Sequence, residues 1–83
     1  MTKRDAELLE RITTVSGLMG GKATVRGLRI TVEQILLALA HGVCERDLLD
    51  DYPELDRDDV KAALLYAGLL VAEERIIPTS GTA

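Results

Sequence analysis

The second half of the chain repeats the apolar spacing of amphipathic helices, and this periodicity constrains the fold more than any other feature of the sequence. In the first such segment, the residues that share one apolar face are Val32, Ile35, Leu36 and Leu39. Thr31 precedes them with Gln34 three residues on, which is the pattern of a capping box. Gly42 follows and is suited to end a helix. The pattern predicts a helix over 31–41.

Two further helices are predicted, on either side of Pro53. The short one covers 45–51 and has Cys44 at its N-cap position, where Ser, Thr or Asp would cap better. The long one covers 57–75, with Asp56 as its N-cap. The residues predicted to face inward on the long helix are Val60, Ala63, Leu64, Ala67 and Val71.

The first 30 residues are less regular. Residues 1–11 are charged and weakly periodic, which predicts a frayed helical turn or an arm. The β-branched residues at 12–15 and 22–25 predict two short strands that form a small ribbon. Gly27 follows the second strand and is free to adopt a positive φ. We predict one domain over 1–78 and a flexible tail over 79–83.

The size of the chain and its apolar content together favour self-association. A chain of 83 residues has a thin core, yet 47% of its residues are apolar. On the long predicted helix, Leu65, Leu69 and Leu70 widen the apolar face beyond what one intramolecular contact needs. We therefore expect a homodimer or higher oligomer with these three leucines at the interface.

The residue groupings that support catalysis are missing from the sequence. His41 and Cys44 are the only histidine and cysteine, and at this spacing they cannot form an oriented pair with a third group. The stretch from Gly17 to Ala23 has neither the glycine spacing of a phosphate loop nor the Ser or Thr after its lysine. We therefore expect no enzymatic activity, no cofactor and no bound metal. The lone cysteine and the lack of a signal-peptide pattern or long apolar stretch predict a cytoplasmic protein.

The net charge of −4 argues against strong non-specific binding to nucleic acid. The charge is uneven, because residues 1–30 carry +3 and residues 31–83 carry −7. Any contact with DNA is therefore expected from the basic half, with Lys22, Arg26 and Arg29 as the candidates. The long helix offers only Arg57 and Lys61 beside acidic residues, which is a poor surface for reading bases.

Residues 20–32, GGKATVRGLRITV in one-letter code, resemble the GGKPVIRGTRIPV signature of the family called domain of unknown function 433. The resemblance continues through 39–42, 48–53 and Leu55 and ends at 60–67, so it covers more than half of the chain. It implies a mainly α fold, a three-helix homeodomain-like helix-turn-helix bundle with a short N-terminal β ribbon. Three positions depart from the family pattern, namely Ala23 for Pro, Leu28 for Thr and Cys44 for Ser or Thr.

The resemblance also implies a function, that of a VapB-type antitoxin. Such an antitoxin blocks a PIN-like ribonuclease toxin encoded beside it and, by analogy, represses its own operon. A helix-turn-helix DNA-binding regulator without a toxin partner is the alternative, and a purely structural oligomer is a third reading.

The predicted toxin-binding residues follow the long helix and are Arg75, Ile76 and Ile77. An apolar β-branched pair suits the addition of a strand to a partner's sheet edge. Arg75 would place its guanidinium against the metal-binding carboxylates of such a nuclease. The alternative is that the two isoleucines pack over the protein's own core or dimer seam.

Overall fold

A computed structural model describes residues 1–73 of the chain. In chain order the elements are helix α1 (Lys3–Leu9), strand β1 (Ile12–Thr14), a 3₁₀ turn (Met19–Gly21), strand β2 (Ala23–Val25) and helices α2 (Val32–Ala40), α3 (Glu45–Asp51) and α4 (Arg57–Glu73). The fold is mainly helical, with four helices and one small antiparallel sheet in this part of the chain. None of the helices within it is both long and apolar enough to cross a membrane.

Helix α1 is a correction to the sequence analysis, which counted three helices and expected a frayed turn or an arm before residue 12. The side chain of Thr2 accepts a hydrogen bond from the backbone N–H of Asp5, and the Asp5 carboxylate accepts one from Thr2 N–H. This capping box satisfies the exposed amides of the first turn. Leu8 is buried, and α1 packs against α4. The tertiary contact thus stabilises a helix that is too short to form alone.

The predicted ribbon is confirmed, with β1 antiparallel to β2. Ile12 lies opposite Val25, Thr13 opposite Thr24 and Thr14 opposite Ala23. An isolated antiparallel bridge between Thr24 and Thr31 joins the ribbon to the start of α2. The ribbon is therefore anchored on both sides of β2, which offsets the low stability of a two-stranded sheet.

The core lies between the ribbon, α2, α3 and the first half of α4. Its buried apolar residues are Val25, Ile30, Val32, Ile35, Leu48, Leu55, Val60 and Ala63. The predicted capping box of Thr31 and Gln34 forms at the start of α2, and Gly42 ends that helix with a φ of 93°. Cys44 is the N-cap of α3 as predicted, and its side chain makes no capping hydrogen bond.

Helix α4 is buried only in its first half. Val60 and Ala63 are inside as predicted, but the same prediction is wrong for Leu64 and Val71, which are 49% and 68% exposed. Tyr66 still packs against the core, but no residue after Ala63 is buried in the part of the chain that the structure describes. The second half of α4 is therefore a surface.

Candidate functional site

The segment from Val25 to Ile30 forms a tight turn that aims one arginine at α4. Arg26 and Gly27 both have positive φ, 51° and 71°, and the N–H of Leu28 donates to the carbonyl of Val25 at 2.9 Å. A turn with two residues of positive φ requires glycine or a residue held in place by other contacts. Gly27 satisfies the first condition. Its N–H also donates to the hydroxyl of Thr13 at 3.0 Å.

Arg26 is held in its positive-φ conformation by a fork of hydrogen bonds to Asp59. Its Nε donates to Asp59 Oδ1 at 3.1 Å, and its Nη2 donates to Asp59 Oδ2 at 2.8 Å. The same Nη2 donates to the carbonyl of Glu54 at 2.6 Å. Bidentate pairing of this kind fixes both side chains. The arginine of the signature segment therefore connects the turn to the start of α4.

Asp59 is wholly buried and makes more than one ion pair. Arg11, which precedes β1, donates from Nη1 to Asp59 Oδ1 at 2.9 Å and to both carboxylate oxygens of Asp56. Asp56 and Asp59 also cap each other, because each backbone N–H donates to the other's carboxylate, at 3.0 and 2.9 Å. The predicted N-cap role of Asp56 is thus confirmed. We call Arg11, Arg26, Asp56 and Asp59 the α4 cap cluster.

The charged state of Asp59 is stabilised by these partners. Burial alone would raise the pKa of its carboxyl group, but the hydrogen bonds from Arg26, from the Asp56 amide and from Arg11 outweigh it and lower the pKa below the usual value. The same bonds raise the pKa of both guanidinium groups. This role of Asp59 was not predicted from the sequence, because its two arginine partners lie 33 and 48 positions away along the chain.

The three DNA-binding candidates do not share a site. Lys22 forms an ion pair with Glu33 at 2.8 Å. Arg26 belongs to the α4 cap cluster. Arg29 is exposed, and within residues 1–73 it forms no ion pair. Arg26 therefore stabilises the fold, Lys22 is paired with an acidic residue, and the side chain of Arg29 is exposed to solvent.

An apolar groove of about 430 Å³ lies between α2, α4 and the start of β2. It is lined by Lys22, Ala23, Val32, Glu33, Leu36, Leu37, Tyr66, Ala67 and Leu70. The Lys22–Glu33 ion pair is its polar border. Leu37 and Leu70, 49% and 47% exposed, keep large apolar surfaces in water on its two helices. Such a groove can hold apolar side chains of another protein and orient them by the charged border.

The residues predicted to form an oligomer interface lie in the second half of α4. Leu69 is 38% exposed, Leu70 lines the groove, and Leu65 is half-buried. Their spacing places Leu65 and Leu69 one turn apart on a different face from Leu70. The predicted toxin-binding residues Arg75, Ile76 and Ile77, and the predicted tail over 79–83, lie outside the described residues.

An acidic hollow borders the end of α2 and α3, lined by His41, Gly42, Val43, Asp47, Asp50 and Asp51. In the described part of the chain, no three His, Cys, Asp or Glu residues are grouped so that they could hold a metal ion. The groove and the second half of α4 are therefore the surfaces whose exposed apolar side chains distinguish this molecule from a simple globular domain.

Residues 12–67 match the sequence model of DUF433, a protein family of unknown function. An uncharacterized protein, y4eO of Sinorhizobium fredii (strain NBRC 101917 / NGR234), is 31% identical over 58 residues. That match covers 70% of this chain and 26% of the relative, so the chain spans about a quarter of that protein. The crystal structure of a DUF433 member from Anabaena variabilis ATCC 29413 superimposes with a TM-score of 0.72 at 29% identity. It covers 82% of this chain and 67% of the other.

Proposed function

The chain belongs to the DUF433 family, and from this premise we propose that it is the antitoxin of a type II toxin–antitoxin pair. In this proposal it neutralises a PIN-like ribonuclease by binding it directly. Its α2–α4 helices act as a homeodomain-like helix-turn-helix scaffold, and its work is done in the cytoplasm without catalysis. The observation that carries the proposal is the apolar groove beside an exposed second half of α4.

The groove favours a protein partner over a nucleic acid. Its lining is apolar except at the Lys22–Glu33 border, and that ion pair has no net charge. Phosphate recognition requires cations that are not neutralised nearby. Exposed leucines on two facing helices are instead typical of a groove that receives apolar anchors from another protein.

The position of the groove suits the predicted role of the residues after α4. Leu70 lines the groove three residues before Glu73, the last described residue of α4, and Arg75, Ile76 and Ile77 follow in the sequence. A ribonuclease that accepts the isoleucine pair at its sheet edge would lie close to the groove. In this arrangement the groove holds the nuclease surface while Arg75 approaches its acidic active site.

A DNA-binding regulator is the second candidate function, and Arg29 is the residue that supports it. It is an exposed arginine at the start of the segment that leads into α2. Against this candidate, Arg26 donates to Asp59 and to the Glu54 carbonyl, and a DNA phosphate would have to compete with a buried carboxylate. DNA binding, including operon repression, is therefore proposed only as a secondary activity of the toxin complex.

The proposal is tested by co-purification with the PIN-like ribonuclease encoded next to this gene. The two purified proteins should form a complex that elutes as one peak in size-exclusion chromatography. Leu37→Glu, which places a charge in the groove, should weaken the complex. Val15→Glu is the matched control, because Val15 is also exposed, at 43%, and lies outside the groove. Two proteins that elute separately at micromolar concentration would contradict the antitoxin proposal. Binding that Leu37→Glu and Val15→Glu weaken equally would contradict the assignment of the groove.

A further inference from the structure

The apolar groove lies beside the point where the described part of α4 ends. Tyr66, Leu70 and Glu73 are spaced i, i+4 and i+7, so they share one face of the helix. Tyr66 and Leu70 both line the groove. Glu73 lies only about 4.5 Å beyond Leu70 along the helix axis, at a rise of about 1.5 Å per residue. The segment that follows Glu73 therefore begins on the groove side of α4.

That segment contains an apolar pair beside two charged residues. Residues 74–78 have the sequence ERIIP in one-letter code, and we call them the isoleucine segment. β-Branched side chains and a following proline both favour an extended backbone over a helical one. Two adjacent isoleucines expose a large apolar area if nothing covers them, so the hydrophobic effect favours a contact that buries both.

The isoleucine segment is long enough to turn back into the groove. Ile76 and Ile77 are three and four residues beyond Glu73, so an extended chain carries them at most about 10 and 13 Å from it. Tyr66 lies about 10 Å before Glu73 along the helix axis, and Leu70 lies between them. A chain that reverses direction after Glu73 therefore brings both isoleucines to the stretch between Leu70 and Tyr66.

We propose that in the free chain the isoleucine segment folds back and fills the apolar groove. Ile76 and Ile77 then pack between α2 and α4 and cover Leu37 and Leu70, the two leucines that are about half exposed in the described part of the chain. The groove volume of about 430 Å³ is that of a site for a few apolar side chains. The occupant of the groove is thus a part of the same molecule.

The charges beside the isoleucine pair fit the border of the groove. Lys22 and Glu33 form that border, with side chains that are 59% and 56% exposed, so their ion pair is only weakly held. Glu74 and Arg75 carry the same two signs, and each can pair with the border residue of opposite charge. The groove therefore accepts the segment without burying an unpaired charge.

The covalent connection makes a weak contact sufficient. A short flexible connection holds a segment near its site at an effective concentration of about 1 mM. An intrinsic dissociation constant of about 0.1 mM then fills the groove in about nine of ten molecules. Any competitor for the groove binds such a chain about tenfold more weakly than a chain whose groove is open.

The isoleucine segment thereby regulates the surface that the proposed function assigns to the ribonuclease. This consequence rests on the proposed function, because the nuclease is then the competitor that enters the groove and takes up Ile76 and Ile77 at its own sheet edge. The filling of the groove in the free chain does not require a nuclease. Both experiments below therefore use the chain alone, and their outcome is independent of toxin binding.

Nuclear Overhauser effects in the full-length wild-type chain test the contact directly. We expect cross-peaks between the methyl groups of Ile76 or Ile77 and the ring protons of Tyr66, which lines the groove. Tyr52 does not line the groove and should show none. A sample that mixes isotope-labelled with unlabelled chain separates contacts within one molecule from contacts between two. The absence of cross-peaks to Tyr66, or cross-peaks that arise only between two copies, would overturn the proposal.

Binding of the dye anilinonaphthalene sulfonate, which fluoresces on exposed apolar surface, tests whether the segment closes the groove. The full-length double variant Ile76→Ser, Ile77→Ser should bind the dye with a dissociation constant about tenfold lower than the wild type does. Adding Leu37→Glu should abolish this gain, because it places a charge in the groove. The control Thr79→Ser, Thr82→Ser changes two residues beyond Pro78 and should bind the dye as the wild type does. Equal dye affinity of the wild type and the isoleucine variant, with unchanged helix content by circular dichroism, would overturn the proposal.

Discussion

The substitution Asp59→Asn removes the charge at the centre of the α4 cap cluster while it keeps the size of the side chain. In the wild type, the carboxylate accepts hydrogen bonds from Arg26, from Arg11 and from the backbone of Asp56. An asparagine can accept at one of its two side-chain positions and places an NH₂ group at the other. That group faces a guanidinium, so a donor meets a donor in a site with no solvent access to the residue.

The expected cost follows from the burial of Asp59 and from the partial exposure of its two arginine partners. Breaking a buried ion pair by removing one member costs about 3–5 kcal/mol. Arg26 and Arg11 have side chains that are 41% and 28% exposed, so water replaces part of what they lose. We therefore expect Asp59→Asn to lower the free energy of unfolding by about 2–3 kcal/mol. A domain of this size has a total stability of about 4–12 kcal/mol, so the effect is a large share.

The assay is thermal and urea unfolding followed by circular dichroism, at one protein concentration for all variants so that any association between copies contributes equally. The melting temperature of Asp59→Asn should fall by about 10–20 °C. Asp58→Asn is the matched control on the same helical turn, where Asp58 is only partly buried and pairs with Arg4 at 2.8 Å. The control should lose much less stability, because its ion pair with Arg4 is largely exposed to solvent. Equal losses for the two variants would refute the reasoning that the cluster connects the turn to α4.

Four further outcomes follow from the same contacts. Arg26→Ala should be less stable than Arg26→Gly by about 1 kcal/mol in urea unfolding, because glycine adopts the φ of 51° without strain; the reverse order would show that the turn is not strained. Because the pKa of Asp59 is lowered in the folded state, its contribution is present above the unfolded pKa and is lost as the pH falls through the folded pKa. Lowering the pH from 6 to about 3 should therefore destabilise the wild type more than Asp59→Asn. Parallel curves of unfolding free energy against pH for the two proteins would contradict this. Thr31→Ala removes the capping box of α2 and should cost about 1 kcal/mol by urea unfolding, whereas Thr14→Ala at an exposed strand position should cost little. Arg29→Ala should weaken any binding to operator DNA and reduce its salt dependence by up to about one unit, as measured by fluorescence anisotropy, and unchanged binding would remove Arg29 from the DNA candidates.

The elements that sequence patterns predicted well are those determined by neighbouring residues. The capping box of Thr31 and Gln34, the stop at Gly42 and the ribbon at β1 and β2 depend on contacts within a few positions. Helix α1 was missed because its stability comes from α4, more than 40 residues away, and its capping residues Thr2 and Asp5 lie among charges without a clear period.

The functional surfaces could be predicted only in part for the same reason. The apolar excess on α4 is visible in the sequence, but periodicity alone cannot tell which residues of an apolar face the chain itself covers. Leu64 and Val71 share the helical spacing of Val60, yet both are exposed in the described part of the chain. The Arg26–Asp59 pair joins residues 33 positions apart, so a basic residue that looked available for DNA was a structural one. The sequence signal for this pair was limited to an acidic residue at position 59 and an arginine directly after Val25.

The central claim, that this chain neutralises a PIN-like ribonuclease by binding it, is tested most directly by titrating the activity of that enzyme. The proposal requires a PIN-like ribonuclease encoded beside this gene, and that enzyme is purified and assayed on RNA while the chain is added in increasing amounts. Cleavage should fall to the background level near equimolar chain, Leu37→Glu should require a clear excess, and Val15→Glu should behave as the wild type does. Ribonuclease activity that stays unchanged in the presence of excess folded chain would contradict the account.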